Sequence, residues 1–508
     1  MTRFCPPNRR EFTLVLFSVT IFVVFYNFEA TFDLFAPGTS LLNPSADSSG
    51  LEMDIFGDWK SDEAHISSVH KQQEEMEDNA DGDIWIKDLV SEAQKQVIFG
   101  NINVNDGFMH WGSDVPQTQV MKHVAGFSIL DNVVICNGTI FIVTDSPSSF
   151  PSLGSIASSV GNPHEAPRPE EWEVLSIEQA RDKLGSYGGL IQGASWLSYD
   201  VTPNNYTLFS LWRTHSSLNA STSPELFRPP RRLFFPNIPT LQGERPEVNV
   251  RPILRRYRSD SGFHPYLPKA AFPMLGLMYK EDWEDYALME VPFLFERLVV
   301  ADFGAAERAT NDLPPFALSL IGLDASKEWW EPIRENLAKF LHVDPHAQNP
   351  NGGGEKTIVT YISRQDARSG PKLRRADHDA LVSALEQLRR SDNFEVYVVS
   401  SEEGHWTERM SAIAQSTVVL GVYGDSLADS VFMRPSGHST LMEFFPLDVF
   451  TRDAETSVRS LGIHYIAWWN DRQFQSGSLP AVAPGGDYDE VLIDAAAVVQ
   501  AIQEVIRT

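Results

Sequence analysis

The stretch TVVLGVYGDSLADSVFMRP, residues 417–435, decides the fold of the C-terminal part of the chain. Its apolar run from Thr417 to Val422 is typical of a buried strand, and the glycines at 421 and 424 mark a tight turn. A segment compatible with a helix follows from Ser426. Because the N-terminus of a helix presents free backbone N–H groups to an anion, this strand, turn and helix predict a place for a phosphate.

Apolar strands and helices alternate on both sides of this stretch. The predicted strands are TIVTYISR (357–364), FEVYVVS (394–400), TVVLGV (417–422), STLMEFF (439–445) and HYIAWW (464–469). Strands that are apolar throughout and alternate with helices indicate a parallel sheet covered on both faces. A last helix, over VLIDAAAVVQAIQEVI, is expected either to pack on this domain or to cross to the first. In such sheets a ligand binds beyond the carboxyl ends of the strands.

Several residues fall at those carboxyl ends and suggest a pocket for a nucleotide diphosphate. The guanidinium of Arg364 matches phosphate oxygens, although it could equally cap a surface loop. Glu443 needs a partner in an apolar strand, and either a ribose diol or a buried arginine would supply one. Glu402 lies at the same edge. The candidate donor-binding residues are Ser363, Arg364, Gly421, Tyr423, Gly424, Asp425, Ser426, Leu427 and Glu443.

Charge and motifs exclude several function classes. The formal net charge of −27 argues against a nucleic-acid partner, which would need a basic face. The sequence has no GxxxxGK[ST] loop, GxGxxG fingerprint, HExxH zinc site or CxxC pair. No Asp-x-Asp lies near the predicted pocket. We therefore predict no fixed protein metal site and no tightly bound cofactor, and dependence on a divalent metal stays open.

The N-terminus predicts a membrane anchor. Residues from Phe12 to Phe28 carry no charge, which is the lower limit of length for a membrane-spanning helix. Arg3, Arg9 and Arg10 precede this span, so the rest of the chain is expected in the lumen of the Golgi or the endoplasmic reticulum, as in a single-pass type II protein. A cleaved signal peptide is the alternative, but no convincing cleavage site follows Phe28.

Composition divides the chain into five segments. We predict a cytosolic tail (1–10), the anchor (11–28), an acidic stem (29–95), a first α/β domain (96–348) and a second one (349–508). A chain of 508 residues is long enough for two cores. Three sequons, at Asn137, Asn205 and Asn219, predict N-glycosylation in a lumenal body. Cys5 and Cys136 fall on opposite sides of the anchor, so no internal disulfide is expected.

The first domain begins with signals for strands. Asn137-Gly138 between two apolar runs predicts a β-hairpin, and Ser176 with Gln179 predicts a capping box at the start of a helix. Further on, PFLFERLVVADFGAA predicts a buried strand and SKEWWEPIRENLAKFLHV an amphipathic helix. The region 200–272, rich in proline and in basic turns, is the hardest to interpret and could be a mobile loop.

The ordered series of motifs resembles the fungal branch of glycosyltransferase family 61, which also contains plant β-1,2-xylosyltransferases. The matching stretches are TYISRQDAR (360–368), LGVYGDSLADSVFMRP (420–435), STLMEFFP (439–446) and RDAETSVRSLGIHYIAWWND (452–471), with CNGTIFIVTD, PPRRLFFPN and EDWEDYALMEVPFLFERLVVAD upstream. The resemblance implies a Golgi type II membrane glycoprotein with a GT-B fold, in which two Rossmann-like domains face a cleft. It also implies inverting transfer of a sugar, for example xylose, from a UDP-linked donor to a glycan or glycoprotein acceptor.

The chain departs from the family pattern at the turn. The family reads GVHGxGLT, and this chain has Tyr423, Ser426 and Ala428 at the histidine, last glycine and threonine positions. The histidine- and tyrosine-rich segment expected near 200–215 is shortened, and His215 is a poor replacement for a general base. No catalytic base is assigned. Two alternatives to an active enzyme follow: a catalytically impaired relative that binds a glycan or a partner, and an unrelated lumenal protein with the same fold class.

Overall fold

The computed structural model describes residues 52–53, 59–60, 108–112, 114–218, 228–240, 263–310, 313–343, 357–390, 393–402, 405–483 and 490–507. Residues Met1–Asn101 form one unit, of which the structure describes an antiparallel pair, β1 (Glu52–Met53) and β2 (Trp59–Lys60). The predicted tail and anchor and the sequon at Asn219 lie outside the described residues. None of the helices described is both long and apolar enough to cross a membrane.

The second unit, Ile102–Thr508, is a mixed α/β structure with two main sheets. Its first sheet contains β3 (Phe108–His110), β4 (Gln119–Val124), β5 (Phe127–Cys136), β6 (Thr139–Val143), β7 (Trp172–Leu175), β8 (Tyr187–Ser198), β9 (Pro230–Phe234), β10 (Gly276–Met278) and β11 (Phe293–Ala301). The strand order is β10-β9-β8-β11-β5-β6-β7, with β3 beside β8 and β4 beside β5. The four strands β10, β9, β8 and β11 are parallel, so their carboxyl ends meet at one edge.

Two local predictions for this sheet are confirmed. β5 and β6 form an antiparallel hairpin, and Asn137 and Gly138 in its turn have φ of 52° and 81°. Positive φ at both central residues is what a type I′ turn requires. The Ser176 hydroxyl accepts a hydrogen bond from the Gln179 N–H, while the Gln179 side chain accepts one from the Ser176 N–H. This capping box starts helix α2.

Helices cover this sheet: α1 (Leu153–Ile156), α2 (Ile177–Leu184), α3 (Asn205–Ser216), α4 (Tyr266–Ala271), α5 (Lys280–Leu288), α6 (Phe303–Glu307), α7 (Ala317–Gly322) and α8 (Glu331–Leu341), with a 3-10 turn at Pro147–Ser149. The expectation of a mobile loop over 200–272 is wrong for the described residues there. They contain α3, β9 and α4, and every residue of α3 is buried. A helix buried all round lacks the 3.6-residue apolar period, so the sequence pattern does not reveal it.

The second sheet contains β12 (Thr357–Ser363), β14 (Phe394–Ser400), β15 (Val418–Val422), β16 (Thr440–Phe445), β17 (His464–Trp469) and β18 (Arg472–Phe474). Its order is β14-β12-β15-β16-β17-β18, and all neighbours are parallel except β17 and β18. A separate parallel pair joins β13 (Lys372–Leu373) to β19 (Glu490–Val491). The predicted strands of this region and their parallel arrangement are therefore confirmed.

The helices of this half are α9 (Arg375–Arg389), α10 (Trp406–Gln415), α11 (Asp453–Ser460) and α12 (Ala495–Arg507). The helix after the glycine turn is a 3-10 helix, Asp425–Phe432, rather than an α-helix. Helix α12 contacts α9 and contributes Val498 and Ile502 to the apolar cluster under the second sheet. The last helix therefore packs on its own half of the chain.

One apolar cluster continues from the first sheet to the second. It joins Trp196 of β8 and Phe209 of α3 to Ile362 of β12 and Val419 of β15, all of them 0% exposed. Between the sheets, the Trp330 indole N–H donates a hydrogen bond of 2.9 Å to the Val431 carbonyl of the 3-10 helix. The predicted boundary between residues 348 and 349 falls outside the described residues and stays a prediction.

Candidate functional site

The strand order of the second sheet predicts a ligand crevice at its carboxyl edge. The chain runs from β12 outward to β14 and then returns to the other side of β12 to form β15. Loops from β12 and β15 therefore leave the sheet in opposite directions, and ligands of open parallel sheets bind where this reversal occurs. Ser363 ends β12, and the Ser401 N–H beyond β14 donates to its carbonyl over 2.9 Å. The predicted residues at 363–364 and 421–427 border this crevice.

Arg364 serves the loop that follows it. Its Nε donates to the Pro371 carbonyl over 3.1 Å, and its Nη2 donates to the Ser369 carbonyl over 2.8 Å. The side chain thus closes the loop 365–371 at the edge of the crevice, which is the loop-capping role left open by the sequence. Glu402 acts on the same loop, because its carboxylate accepts the Arg368 N–H over 3.1 Å.

Glycine is required at positions 421 and 424 of the turn for two different reasons. A Cβ at Gly421 would lie 3.0 Å from Leu427 Cδ2 and 3.1 Å from the Ile362 carbonyl, so glycine allows the 3-10 helix to pack against the strand. Gly424 has φ of 119°, and a Cβ there would meet nothing within 4 Å. Only its backbone conformation requires glycine. Tyr423 stacks on Phe445, with ring centroids 5.2 Å apart.

Glu443 is 2% exposed and bonds within the protein. The Tyr465 hydroxyl donates to its carboxyl over 2.6 Å, and the Gly424 N–H also donates to it. Burial raises the pKa of Glu443 to about 8, and the neighbouring acids Asp453 and Glu455 contribute to the increase. The carboxyl is therefore neutral at pH 7 and holds the glycine turn. Within the described residues its hydrogen-bond partners are Tyr465 and Gly424 rather than an arginine, and the contact with a donor stays a prediction.

We expect Glu443→Gln to flatten the dependence of stability on pH. The folded protein holds a proton on Glu443 up to about pH 8, whereas the unfolded chain loses it near 4.5, the ordinary pKa of a glutamate. Stability from this group is therefore lost as pH rises across that window. The glutamine does not titrate, so wild type should lose a few kcal/mol more unfolding free energy than the variant between pH 5 and 8.

Urea titrations at several pH values measure this difference. The matched control is Glu386→Gln, because Glu386 lies on the exposed face of α9 and its side chain is 49% exposed. Equal pH slopes in wild type and Glu443→Gln would show that the buried carboxyl is ionised in the folded protein.

Further acids lie beside the turn. Asp425 is exposed, and the pKa of Asp453 is raised chiefly by burial, with a smaller contribution from Asp425. Glu455 is neutralised by Arg452 over 2.9 Å and by Arg459 over 2.5 Å. At neutral pH the acids beside the turn therefore carry less negative charge than the same number of free carboxylates would. No group of three or more His, Cys, Asp or Glu side chains within the described residues could hold a metal ion.

Residues at the start of α3, the helix that follows β8 of the first sheet, contact the 3-10 helix after the glycine turn. The Asn205 Nδ2 donates to Asp429 Oδ1 over 2.5 Å, and Arg409 Nη2 lies 3.2 Å from Asp429 Oδ2. Tyr206, the next residue of α3, is close enough to Glu443 and Asp453 for their charges to raise its pKa, although burial is the larger cause. Segments that leave the carboxyl ends of β8 and β15 therefore meet, and together they border the crevice.

Asp200 is an acid–base candidate that the sequence analysis missed. It follows the carboxyl end of β8, is partly exposed, and accepts the Phe303 N–H over 3.1 Å and the Thr207 hydroxyl over 3.0 Å. Burial raises the pKa of Asp200 to about 7, with a further contribution from the charge of Asp302. A carboxyl that gains and loses a proton near neutral pH suits general acid–base chemistry. Its position directly after an apolar strand was the available signal.

Two other predicted positions have different roles in the structure. Asn205 is 9% exposed and its amide nitrogen is bonded to Asp429, so this sequon is not a glycosylation site in the folded chain. Asn137 is exposed in its hairpin turn and has room for a glycan. His215 is 0% exposed and stacks on Trp212, and burial lowers its pKa to about 4. It is a neutral core residue rather than a base at the crevice.

No protein-family model matches the chain, and no curated protein matches it.

Proposed function

We propose that the chain is an inverting glycosyltransferase of the GT-B type that transfers a sugar from a nucleotide-diphosphate donor to a glycan acceptor. The observation that carries this proposal is the reversal of strand order between β12 and β15, with the glycine turn 421–424 at that point. Such a reversal is where open parallel sheets bind nucleotides. The likeness to glycosyltransferase family 61 in residues 360–471 gives the reaction class.

The meeting of the two sheets supports a GT-B arrangement. Asn205 follows the carboxyl end of β8 and Asp429 follows the carboxyl end of β15, and the two side chains are bonded. A donor at the second sheet would therefore lie opposite residues of the first. The proton on Glu443 removes one negative charge beside the turn, which lowers the repulsion that a diphosphate would meet there.

Inverting transfer needs a base that takes the proton from the acceptor hydroxyl. We assign this role to Asp200, because it lies at the carboxyl edge of the first sheet and its pKa is raised to about 7. In this scheme the Asp200 carboxylate accepts the acceptor proton as the acceptor oxygen attacks the anomeric carbon. The bond from that carbon to the diphosphate breaks, and the N–H groups of Asp425 and Ser426 at the start of the 3-10 helix are the donors for the leaving oxygens, since those of Tyr423 and Gly424 bond to Phe444 and Glu443.

A second candidate function has its own support. The Arg364 side chain donates hydrogen bonds to two carbonyls of its own loop, and Tyr423 replaces a histidine that could carry charge. These features favour a family member that binds a glycan or a partner without transferring sugar. The lumenal location and the membrane anchor belong to both proposals.

Calorimetry and donor hydrolysis with the purified full-length protein separate the two functions. We expect heat with UDP and slow release of UDP from one member of a panel containing UDP-xylose, UDP-glucose and UDP-N-acetylglucosamine. Binding without any release of UDP would favour the second function. If none of the panel, UDP or GDP gives heat, the donor site at the crevice does not exist.

A further inference from the structure

Four polar atoms with no hydrogen-bond partner among the described residues belong to one ion pair or to residues near it in the fold. They are Asn205 Oδ1, Ser401 Oγ, Arg409 Nε and Ser426 Oγ, and all four are buried. A buried polar atom without a partner lowers the stability of the fold, so folded proteins contain few of them. Of the ten such atoms among the described residues, these four belong to residues that are neighbours in the fold, which makes the place a candidate ligand site.

The Arg409–Asp429 pair brings these atoms together. Arg409 Nη2 lies 3.2 Å from Asp429 Oδ2, and Arg409 Nη1 donates to the Ser401 carbonyl. Asn205 Nδ2 donates to the other oxygen of Asp429. In a 3-10 helix, side chains three residues apart lie on the same face, so Ser426 lies above Asp429. Asn205 and Ser401 thus bond to the pair, Arg409 belongs to it, and Ser426 lies three residues before Asp429.

The chemistry of the four atoms selects a ligand class. Arg409 Nε is a cationic donor and the two serine hydroxyls are donors that can turn, a set that matches phosphate oxygens. Ser401 and Ser426 are themselves partly exposed, so rotation about χ1 moves their hydroxyls between the buried position and the crevice.

We propose that Asn205, Ser401, Arg409 and Ser426 form the subsite that binds the sugar-phosphate part of the donor. The serine hydroxyls turn outward and donate to phosphate oxygens, while Arg409, whose side chain is 20% exposed, supplies positive charge and Asn205 holds Asp429 in place. This inference rests on the proposed function. It replaces Arg364 by Arg409 as the cation of the site, since the hydrogen bonds of Arg364 go to its own loop.

The serines provide the test, because their hydroxyls have no partner to lose among the described residues. We expect Ser426→Ala and Ser401→Ala to leave the unfolding midpoint unchanged or slightly higher. Each should weaken binding of UDP and of the best UDP-sugar by about tenfold in calorimetry of the full-length protein, as the loss of one hydrogen bond to a charged group predicts. Binding of uridine, measured by competition, should change by less than about twofold, since uridine has no phosphate.

The matched control is Ser430→Ala on the same 3-10 helix. Ser430 is 0% exposed, and its hydroxyl donates to the Leu427 carbonyl over 2.6 Å. This variant should lower the unfolding midpoint and keep the affinity for UDP. It separates loss of a structural hydrogen bond from loss of a ligand contact.

The possible results are distinct. Wild-type binding that both serine variants retain would overturn the subsite and leave the proposed function standing. Equal weakening of uridine and UDP would overturn it too, because the serines would then act on the nucleoside. A wild-type protein that binds neither UDP nor any UDP-sugar would overturn the proposed function together with the subsite.

Discussion

Replacing Asp200 by asparagine is expected to lower sugar transfer by about 100- to 10,000-fold, the usual contribution of a general base. Asparagine has nearly the same shape and can still accept the Phe303 N–H, but it cannot take a proton from the acceptor. UDP release from the donor, with water or the glycan as acceptor, measures the effect. Affinity for UDP should stay within about threefold of wild type, since the substitution removes the base for the acceptor proton and no contact with the donor.

The pH profile gives an independent measure of the same role. A base must be ionised, so the wild-type rate should rise with pH through about 7, the pKa to which Asp200 is raised. The residual activity of Asp200→Asn should lack this rise. Asp379→Asn is the control, because this acid lies on α9 with a side chain that is 59% exposed. Activity above half of wild type in Asp200→Asn would exclude Asp200 as the base.

Removing the carboxylate of Asp131 is expected to cost about 3–5 kcal/mol of stability, as for other ion pairs broken in the interior. Arg297 of β11 lies directly opposite Asp131 of β5. Its Nε and Nη2 donate to the two carboxylate oxygens, each over 2.7 Å, and the Arg297 side chain is only 6% exposed. Asp131→Ala takes the carboxylate away from a guanidinium that has little access to water.

A second variant tests the physical reason. If desolvation of the arginine causes the loss, the double variant Asp131→Leu/Arg297→Met should recover most of the stability, because no charge then remains inside. Urea unfolding of both variants and wild type gives the comparison. A loss below about 1 kcal/mol in Asp131→Ala would mean that the pair behaves like a surface ion pair.

The sheets were more predictable than the buried helix between them. Strands β12, β14, β15, β16 and β17 are short apolar runs separated by turn residues or helices, and such runs point to a parallel sheet without knowledge of the partners. The Asn137-Gly138 turn was predictable because few residues tolerate positive φ at two successive positions. Helix α3 has no face exposed to solvent, so its sequence lacks the apolar period that would identify an amphipathic helix.

The position of the crevice followed from the sequence, but its contacts did not. Residues 363–364 and 421–427 lie at the ends of parallel strands, so the order of the elements alone places both segments at one edge of the sheet. The bond between Asn205 and Asp429 joins residues 224 positions apart, and no local pattern announces it. Arg364 and Glu443 were chosen for their charge. Their partners, the Ser369 carbonyl and the Tyr465 hydroxyl, became known only from the packing.

The apolar cluster shared by both sheets limits how the molecule can be divided. Trp330, which precedes α8, and Phe432 of the 3-10 helix belong to this cluster, and their rings are 5.4 Å apart. A polypeptide ending before β12 would leave the first of these rings in water, and one beginning at β12 would leave the second. Produced as separate fragments, the halves would aggregate alone and regain solubility by reassociating, which makes the region between α8 and β12 suited to a split-reporter design.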